Sequence, residues 1–365
     1  MSKINVGILF GGQSAEHEIS LVSAKNVIDA IDKEKYSVEL IGIDKNGKWH
    51  ISIDSNFLLN SNDAKLIKLN KQSLDELSLV PGNQETKVIK SNNSIAHLDV
   101  VFPILHGPLG EDGSVQGLLR LLNIPFVGSG VLGSAVCMDK EIMKKLFLAD
   151  QIPSCRYKII LSHEDINAKK DEIINDLGLP VYVKPANMGS SVGISKVKTE
   201  DELINAIHKA FQYDVKVIIE EEIKGREIEV AILGNEELKA SIPGEILPTK
   251  DFYSFEAKYV DEKGADLIIP AKLNDQEIKT VQELAIKAFK SLSCEGMARV
   301  DFFYTEDKKW LINEINSIPG FTKISMYPSL WKESGYSYSE LIDELLQLAI
   351  LRHQKLSKLS SANID

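Results

Sequence analysis

The order of apolar and polar positions divides the chain into buried strands and amphipathic helices. Residues 4–10 form a continuous apolar run, typical of a strand covered on both faces. Residues 15–31 have the spacing of a helix, and residues 38–43 form a second apolar run. Because strand, helix and strand follow in this order, the sequence predicts a βαβ unit and an α/β domain.

Further elements are predicted by the same patterns. Residues 54–97 are polar and weakly patterned, so we expect loops and short elements there. Strands are predicted at 98–105, 124–127, 181–184, 215–221 and 227–233, and a loop at 245–264. Helices are predicted at 114–122, 138–148, 199–211, 275–291 and 338–353. A chain of 365 residues is too long for one ordinary core. This length predicts two or three domains, and we place three, at 1–128, 129–224 and 225–365.

Two predicted strands near the C-terminus carry polar side chains at alternate positions. Arg299 and Asp301 share a face of the first strand, and Glu314 and Asn316 share a face of the second. If these faces coincide, buried carboxylates meet there and need a cation. An oxygen-only ligand set suits Mg²⁺ and indicates metal–nucleotide chemistry. The alternative is a hairpin with a surface Arg299–Asp301 ion pair and a solvated Glu314.

A glycine–serine segment, 189–193, is a candidate phosphate loop. It reads Gly-Ser-Ser-Val-Gly, in which glycines let backbone amides approach an anion and serines add donors. Lys184 ends the preceding strand and Lys140 lies upstream, so two lysines could neutralise a polyphosphate. The segment is not a P-loop, and its alternative interpretation is a flexible hairpin turn.

Residues 128–133 match Gly-x-Gly-x-x-Gly, the fingerprint of dinucleotide-binding folds. The preceding strand is not the first of its domain, and Asp150 falls where a helix gives way to a loop. Because a ribose-binding acid is missing, a dehydrogenase is disfavoured.

Two turns at strand ends carry titratable side chains. Glu16 and Glu18 lie at a predicted helix N-terminus, where anions normally bind, so Glu16 suits a cationic amine better than a phosphate. The alternative is that both acids complement the helix dipole. His106 follows the carboxyl end of a strand, where α/β sheets place ligands, although a lone histidine there is more often structural.

Charge and cysteine content narrow the class of protein. The 42 Lys and Arg residues against 53 Asp and Glu give a net charge of −11, which argues against nucleic-acid binding. The three cysteines match no zinc or redox spacing, so reduced thiols of a cytoplasmic protein are expected. We expect neither a secretory signal nor a membrane span.

In order and spacing, these segments resemble the D-alanine–D-alanine ligase family of the ATP-grasp superfamily. The resemblance runs from Gly11 to about Ala349. The matching segments are Gly-Gly-x-Ser-x-Glu-x-x-Ile-Ser at 11–20, His-Gly-x-x-Gly-Glu-Asp-Gly-x-x-Gln-Gly at 106–117, Met-Asp-Lys at 138–140, Lys-Pro at 184–185, the loop at 189–193, Glu-Ala-Lys-Tyr at 256–259, Arg-x-Asp at 299–301, Asn-Glu-Ile-Asn at 313–316 and Pro-Gly-Phe-Thr at 319–322. The implied fold is a three-domain ATP-grasp architecture, with an N-terminal parallel-sheet domain and ATP held between two α+β domains.

The resemblance also implies the activity. The family uses ATP to phosphorylate the carboxylate of a first D-alanine, and the amine of a second D-alanine attacks the acyl phosphate. This implies D-alanyl-D-alanine synthesis for peptidoglycan precursors by a cytoplasmic homodimer, with ATP and D-alanine as its small-molecule partners. Two alternatives stay open: ligation of D-lactate or D-serine as second substrate, and a catalytically silent nucleotide-binding protein.

The resemblance implies a nucleotide site and a metal site. The implied nucleotide ligands are Lys140, Lys184, Ser190, Ser191, Glu220, Ile223, Glu227 and Lys258. Lys140 and Lys184 would hold the phosphates, and Glu227 the ribose hydroxyls. The implied metal ligands are Asp301, Glu314 and Asn316, which would bind two Mg²⁺ ions, with Mn²⁺ possible in their place.

The first D-alanine would be held by Glu16, which faces its ammonium group. Ser190 and Tyr259 would join Glu16 in one hydrogen-bonded set, with His106 close by. The family's depsipeptide-forming relatives replace this tyrosine or rebuild its loop. Because the stretch around Tyr259 is intact here, the dipeptide product is favoured.

The second D-alanine and the reacting centre would use a separate group of residues. Arg299 and the backbone amide of Gly320 would stabilise the tetrahedral oxyanion. Ser325 and Lys258 would face the carboxylate of the second D-alanine.

Overall fold

The computed structural model describes residues 3–52, 57–60, 63, 66–70, 75–80, 87–90, 95–248 and 265–359. Its first sheet has seven strands in the order β8-β7-β6-β3-β2-β1-β9. The strands of this part of the chain are β1 (Ile4–Gly11), β2 (Tyr36–Ile43), β3 (Trp49–Ser52), β4 (Leu58–Leu59), β5 (Lys68–Leu69), β6 (Asp75–Val80), β7 (Lys87–Lys90), β8 (Ile95–His97) and β9 (Val100–Ile104). Strand β1 is parallel to both β2 and β9, which confirms the predicted βαβ unit, whereas β3 and β6 to β8 are antiparallel additions. Strands β4 and β5 pair separately.

Helices α1 (His17–Ala30) and α2 (Ser114–Leu121) belong to this first part of the chain. Helix α1 begins two residues later than predicted, because a turn in which the His17 N–H donates to the Ser14 carbonyl precedes it. The strand predicted at 124–127 is reduced to one parallel bridge between Val101 and Phe126. Pro125 has no N–H to extend the ladder.

The helix predicted at 138–148 is confirmed as α4 (Lys140–Ala149), but it begins two residues later, because the chain breaks at Asp139 after a separate helix that was not predicted, α3 (Val131–Met138). Asp139 has an extended backbone, and its carboxylate accepts from the N–H groups of Glu141 and Ile142, each at 3.1 Å. Asp139 is therefore the N-cap of α4.

The second sheet is antiparallel and has four strands in the order β10-β13-β11-β12. Its elements are β10 (Tyr157–Leu161), α5 (Ile166–Leu177), β11 (Val181–Pro185), β12 (Ser195–Val197), α6 (Glu200–Ala210) and β13 (Lys216–Glu221). Helices α5 and α6 share its apolar core. Helix α6 starts at the predicted capping box of Thr199 and Glu202.

The third sheet has the order β17-β16-β14-β18-β19, with β15 paired to β14. Its elements are β14 (Gly225–Gly234), β15 (Lys239–Ala240), β16 (Gly244–Pro248), β17 (Ala265–Ile268), α7 (Asp275–Ser291), β18 (Gly296–Thr305), β19 (Trp310–Asn316), α8 (Met326–Glu333) and α9 (Tyr338–Leu356). The loop expected at 245–264 thus begins as strand β16, and residues 249–264 lie outside the described part.

The cores join parts of the chain that are distant in sequence. Buried side chains of α1, α8 and α9 meet around Phe321 and Tyr327, and those of α3 and α4 lie in one core with α7 and the third sheet. The domain boundaries at 128/129 and 224/225 stay a prediction. Among the described helices none is long and apolar enough to cross a membrane.

Candidate active site

The hairpin of β18 and β19 brings the predicted polar side chains onto one face. Asp301 pairs directly with Glu314, and Arg299 pairs with Asn316. The Arg299 guanidinium donates to both Asp301 oxygens at 2.8 Å, and the Asn316 amide donates to Asp301 at 2.9 Å. The two faces therefore coincide as the alternation required. A bulge after Asp301 leaves Asn313 without a register partner and redirects the strand beside this cluster.

A second carboxylate holds the same arginine. Glu229 lies next to Asp301 across strands β14 and β18, and its Oε2 is 2.8 Å from Arg299 Nε. The sequence reasoning missed Glu229, although its alternation with Glu227 on an apolar strand was a visible signal. The result is an arginine flanked by two nearly buried acids.

This cluster borders a small cavity of about 90 Å³. Its polar lining consists of Glu227, Glu229, Arg299, Asp301, Asn313, Glu314, the Gly320 backbone and Ser325. Ser325 is also the N-cap of α8, and its hydroxyl accepts from the Thr322 N–H at 2.9 Å. The cavity therefore joins Arg299, Gly320 and Ser325, the three described residues expected around the second amino acid.

A larger cleft of about 200 Å³ adjoins this cavity and also has Glu314 in its lining. Among its lining residues are all the described members of the expected nucleotide set: Lys140, Lys184, Ser190, Ser191, Glu220, Ile223 and Glu227. Glu227, Asn313 and Glu314 line both cavities. The cleft that holds Lys140 and Lys184 and the cavity beside the hairpin are thus adjoining parts of one site.

Lys140 connects the cleft to the hairpin. Its Nζ donates to the Met188 carbonyl at 2.7 Å and lies 3.9 Å from Glu314 Oε2. Lys140 is placed by the Asp139 cap, which starts α4 at this residue.

Glu220 is buried between two lysines at the back of the cleft. Its Oε1 is 2.9 Å from Lys144 Nζ and its Oε2 is 2.5 Å from Lys184 Nζ. Burial alone would raise the pKa of Glu220, but the two ammonium groups outweigh it and hold the pKa well below its usual range. For Lys144 and Lys184, burial would lower the pKa, and the Glu220 charge outweighs burial and raises it. All three groups are therefore charged at neutral pH.

Lys144 was missed by the sequence analysis. It is only 1% exposed, and its ammonium also donates to the Cys155 sulfur at 3.2 Å. The available signal was its position four residues after Lys140, on the face of α4 that is buried.

The glycine–serine loop is folded against the first sheet's N-terminal turn. The Ser190 hydroxyl donates to the Glu16 carboxylate. Ser190 and Ser191 have φ values of 48° and 61°, in the left-handed region that side chains rarely adopt. Holding them there costs roughly 1–3 kcal/mol each. The loop is therefore held in a strained conformation with its hydroxyls in the cleft.

His106 lies behind Glu16 in a buried acidic group. Its Nδ1 is 3.5 Å from Glu111 and its Nε2 is 3.3 Å from the Ser23 hydroxyl. Burial would lower the pKa of His106, but the Glu111 and Glu16 carboxylates outweigh it and raise the pKa. Burial and the Glu16 charge raise the pKa of Glu111 to about 7. Glu111 is a matching position of the segment at 106–117, but the sequence analysis gave it no role.

The remaining sequence candidates have simple outcomes. Lys258 and Tyr259 lie outside the described residues. In the Gly-x-Gly-x-x-Gly run, Gly133 allows close packing, since a Cβ on it would lie 2.5 Å from the Ser293 carbonyl oxygen. Within the described ranges, no group of three or more His, Cys, Asp and Glu side chains is arranged to hold a metal ion. The hairpin instead offers two carboxylates and the amide of Asn316.

Comparison with known proteins agrees with this geometry. The family model described as D-ala D-ala ligase N-terminus matches residues 5–129, and the model described as D-ala D-ala ligase C-terminus matches residues 146–347. A D-alanine--D-alanine ligase of Oceanobacillus iheyensis is 54% identical over 365 residues and 100% of both chains.

Solved structures share the fold. The D-alanine-D-alanine ligase from Coxiella burnetii has a TM-score of 0.86 at 38% identity, covering 98% of this chain and 97% of its own. The VanG D-Ala:D-Ser ligase from Enterococcus faecalis has a TM-score of 0.86 at 35% identity, covering 95% of this chain and 100% of its own. These matches confirm the predicted ATP-grasp fold class and exclude the dehydrogenase interpretation. The chain belongs to the D-alanine–D-alanine ligase family.

Proposed function

We propose that the protein phosphorylates the carboxylate of one D-alanine with ATP and joins the resulting acyl group to the amine of a second D-alanine. The observation that carries this proposal is that Glu314 lines both the cleft that holds Lys140 and Lys184 and the cavity beside Arg299. A phosphate donor in the cleft and an amino acid beside Arg299 would meet there.

The cleft's own side chains account for ATP binding. Lys140 and Lys184 supply positive charge for the phosphates, while Ser190 and Ser191 supply hydroxyl donors from the strained loop. Glu220, Glu221 and Ile223 border the same cleft, where the adenine would lie, and Glu227 would accept from the ribose hydroxyls. Lys258 would add a further cation from outside the described part.

The hairpin fits Mg²⁺ by the chemistry of its donors. Asp301, Glu314 and Asn316 offer only oxygen ligands, the set that Mg²⁺ or Mn²⁺ prefers. When bound, two such ions would neutralise phosphate charge at the reacting oxygens. Arg299 already pairs with Asp301, so it fixes the position of that carboxylate on the metal-binding face.

Glu16 would bind the ammonium group of the first D-alanine. A nearly buried carboxylate beside a glycine turn attracts a cation, and the Ser190 hydroxyl already orients it. His106 and Glu111 lie close to Glu16 and influence the charge around it. Tyr259 would complete the hydrogen-bonded group of Glu16 and Ser190.

Arg299 and the Gly320 amide would stabilise the oxyanion that forms when the second amine attacks. Such donors stabilise a tetrahedral intermediate by roughly 3–4 kcal/mol each. Ser325, at the N-terminus of α8, would bind the carboxylate of the second D-alanine, together with Lys258.

The product is proposed to be D-alanyl-D-alanine. The Glu-Ala-Lys-Tyr stretch at 256–259 is intact, and the 54% identical relative is a D-alanine--D-alanine ligase by name. The alternatives, D-alanyl-D-lactate and D-alanyl-D-serine, need a changed second-substrate site. We further propose that the product serves peptidoglycan precursor synthesis in the cytoplasm and that the protein acts as a homodimer.

Measurement of ADP release tests the proposal, with ATP, Mg²⁺ and one of four mixtures: D-alanine, D-alanine plus D-lactate, D-alanine plus D-serine, and L-alanine. Turnover with D-alanine alone, with the dipeptide identified by mass, is the expected result. Turnover only with a mixed pair would keep the mechanism and overturn the product. No ADP release from folded protein in any mixture would contradict the proposal.

A further inference from the structure

Glu220 uses both of its carboxylate oxygens on lysines. Oε1 lies 2.9 Å from Nζ of Lys144, which belongs to helix α4. Oε2 lies 2.5 Å from Nζ of Lys184, which belongs to strand β11. The carboxylate side chain is 5% exposed, and the Lys144 side chain is 1% exposed. An ionised carboxylate this deep needs a counter-charge at all times, because an unpaired buried charge is strongly destabilising.

The two lysines differ in what else they can reach. Lys184 lines the nucleotide cleft, whereas Lys144 is not among the described residues that line it. Lys144 donates instead to Cys155, whose thiol is buried and uncharged. Lys144 is therefore fixed in place, whereas Lys184 contacts Glu220 and also lines the nucleotide cleft.

This difference creates a requirement for phosphate binding. If Lys184 turns its ammonium toward a polyphosphate, Glu220 loses one of its two partners. Only a second cation that stays on Glu220 keeps the carboxylate compensated during that exchange.

We infer that Lys144 is a positioning residue for ATP binding: it is the permanent counter-charge of Glu220 and thereby leaves Lys184 available to the phosphates. The inference rests on the proposed assignment of Lys184 to the ATP phosphates. Without Lys144, Lys184 is the remaining cation on Glu220 and is held back from the nucleotide.

The test compares K144M with K145M, its neighbour on the same helix. Lys145 is 58% exposed and pairs with Glu141, so K145M removes the same charge from the surface. We expect K144M to raise the KM for ATP about tenfold or more, because a buried charge pair loses one partner. The KM for D-alanine should not change, and K145M should match the parent in both constants.

A third and a fourth variant separate the possible failures. K184M should raise the KM for ATP; if it does not, the assignment of Lys184 is wrong and the inference falls with it. If K184M raises the KM for ATP but K144M does not, only the inference about Lys144 is overturned. The same holds if K144M raises the KM for ATP and the KM for D-alanine equally.

The double variant K144M/E220Q removes the charge that Lys144 compensates. It should bring the KM for ATP back toward that of E220Q alone, and it keeps the test valid if K144M by itself fails to fold. A KM for ATP that stays raised in folded double variant would contradict the inference.

Discussion

Replacing Arg299 with alanine should reduce both stability and turnover. Arg299 holds Asp301 through two contacts at 2.8 Å and Glu229 through a third at 2.8 Å. The exposed fractions of the three side chains are 15% for Arg299, 13% for Asp301 and 6% for Glu229. Removal of the Arg299 side chain leaves the carboxylates of Glu229 and Asp301 side by side across β14 and β18, with Glu314 opposite Asp301 on β19.

The expected size follows from this burial. Removing one partner of a buried ion pair costs about 3–5 kcal/mol, and the partial exposure here places R299A near the lower end, at about 3 kcal/mol. The variant also loses one oxyanion donor. At temperatures where it is folded, its kcat should therefore be roughly a hundredfold to a thousandfold lower than that of the parent.

The matched control is R226A. Arg226 makes a similar two-contact pair with Glu245, at 2.8 and 2.6 Å, but is not among the described residues that line either cavity. Urea unfolding followed by tryptophan fluorescence should show a loss of stability in both variants, and ADP release should show a loss of kcat in R299A alone. An R299A enzyme that turns over like the parent, or an R226A enzyme equally impaired, would refute the assignment of Arg299.

Three further outcomes can be measured on single variants. Ser190→Ala removes the hydroxyl that orients Glu16, so the KM for D-alanine should rise roughly tenfold to hundredfold, as steady-state kinetics would show. Glu111→Gln should flatten the pH dependence of stability. Because the pKa of Glu111 is raised, the folded parent binds this proton more tightly than the unfolded chain does, so this contribution to stability is present at low pH and is lost as pH rises from about 4.5 to 7. The raised pKa of His106 continues the loss of stability above pH 6.5. Asp139→Ala should lower the free energy of unfolding by about 1–2 kcal/mol through loss of the α4 cap.

These variants also have outcomes that would count against the account. An unchanged KM for D-alanine in S190A would separate Ser190 from the substrate site. A pH–stability curve of E111Q that overlays the parent would remove Glu111 from the buried acidic group. For Asp139, the control is Asp165→Ala, which removes the cap of α5 with its two N–H contacts at 2.9 and 3.4 Å. D139A should cost more, because Lys216 also binds Asp139 at 2.6 Å.

The hairpin could be predicted from sequence because its signal is local. Alternation places Arg299 and Asp301 on one face, and the short turn makes β18 and β19 antiparallel neighbours, so Glu314 and Asn316 can share that face. The sequence also held a signal for the start of α4, since Asp139 precedes Glu141 in the pattern of a capped first turn. The apolar spacing through Met138 nevertheless led us to start the predicted helix two residues too early.

Other parts of the site depend on packing between distant elements. Lys144 on α4 meets Glu220 on β13 only after the second sheet and α4 are brought together, so no local pattern assigns that lysine a partner. Glu229 acquires its partner Arg299 through the pairing of β14 with β18, which sequence spacing does not specify. Such contacts become visible only in the folded chain.

The central claim is that ATP phosphorylates the carboxylate of D-alanine before the peptide bond forms. The most direct measurement uses D-alanine in which both carboxylate oxygens are the heavy isotope oxygen-18. The released phosphate is analysed by mass spectrometry. Attack of the second amine on the acyl phosphate expels phosphate together with one carboxylate oxygen, so the account predicts one labelled oxygen in each phosphate released. Phosphate without label, in a reaction that yields the dipeptide, would contradict it.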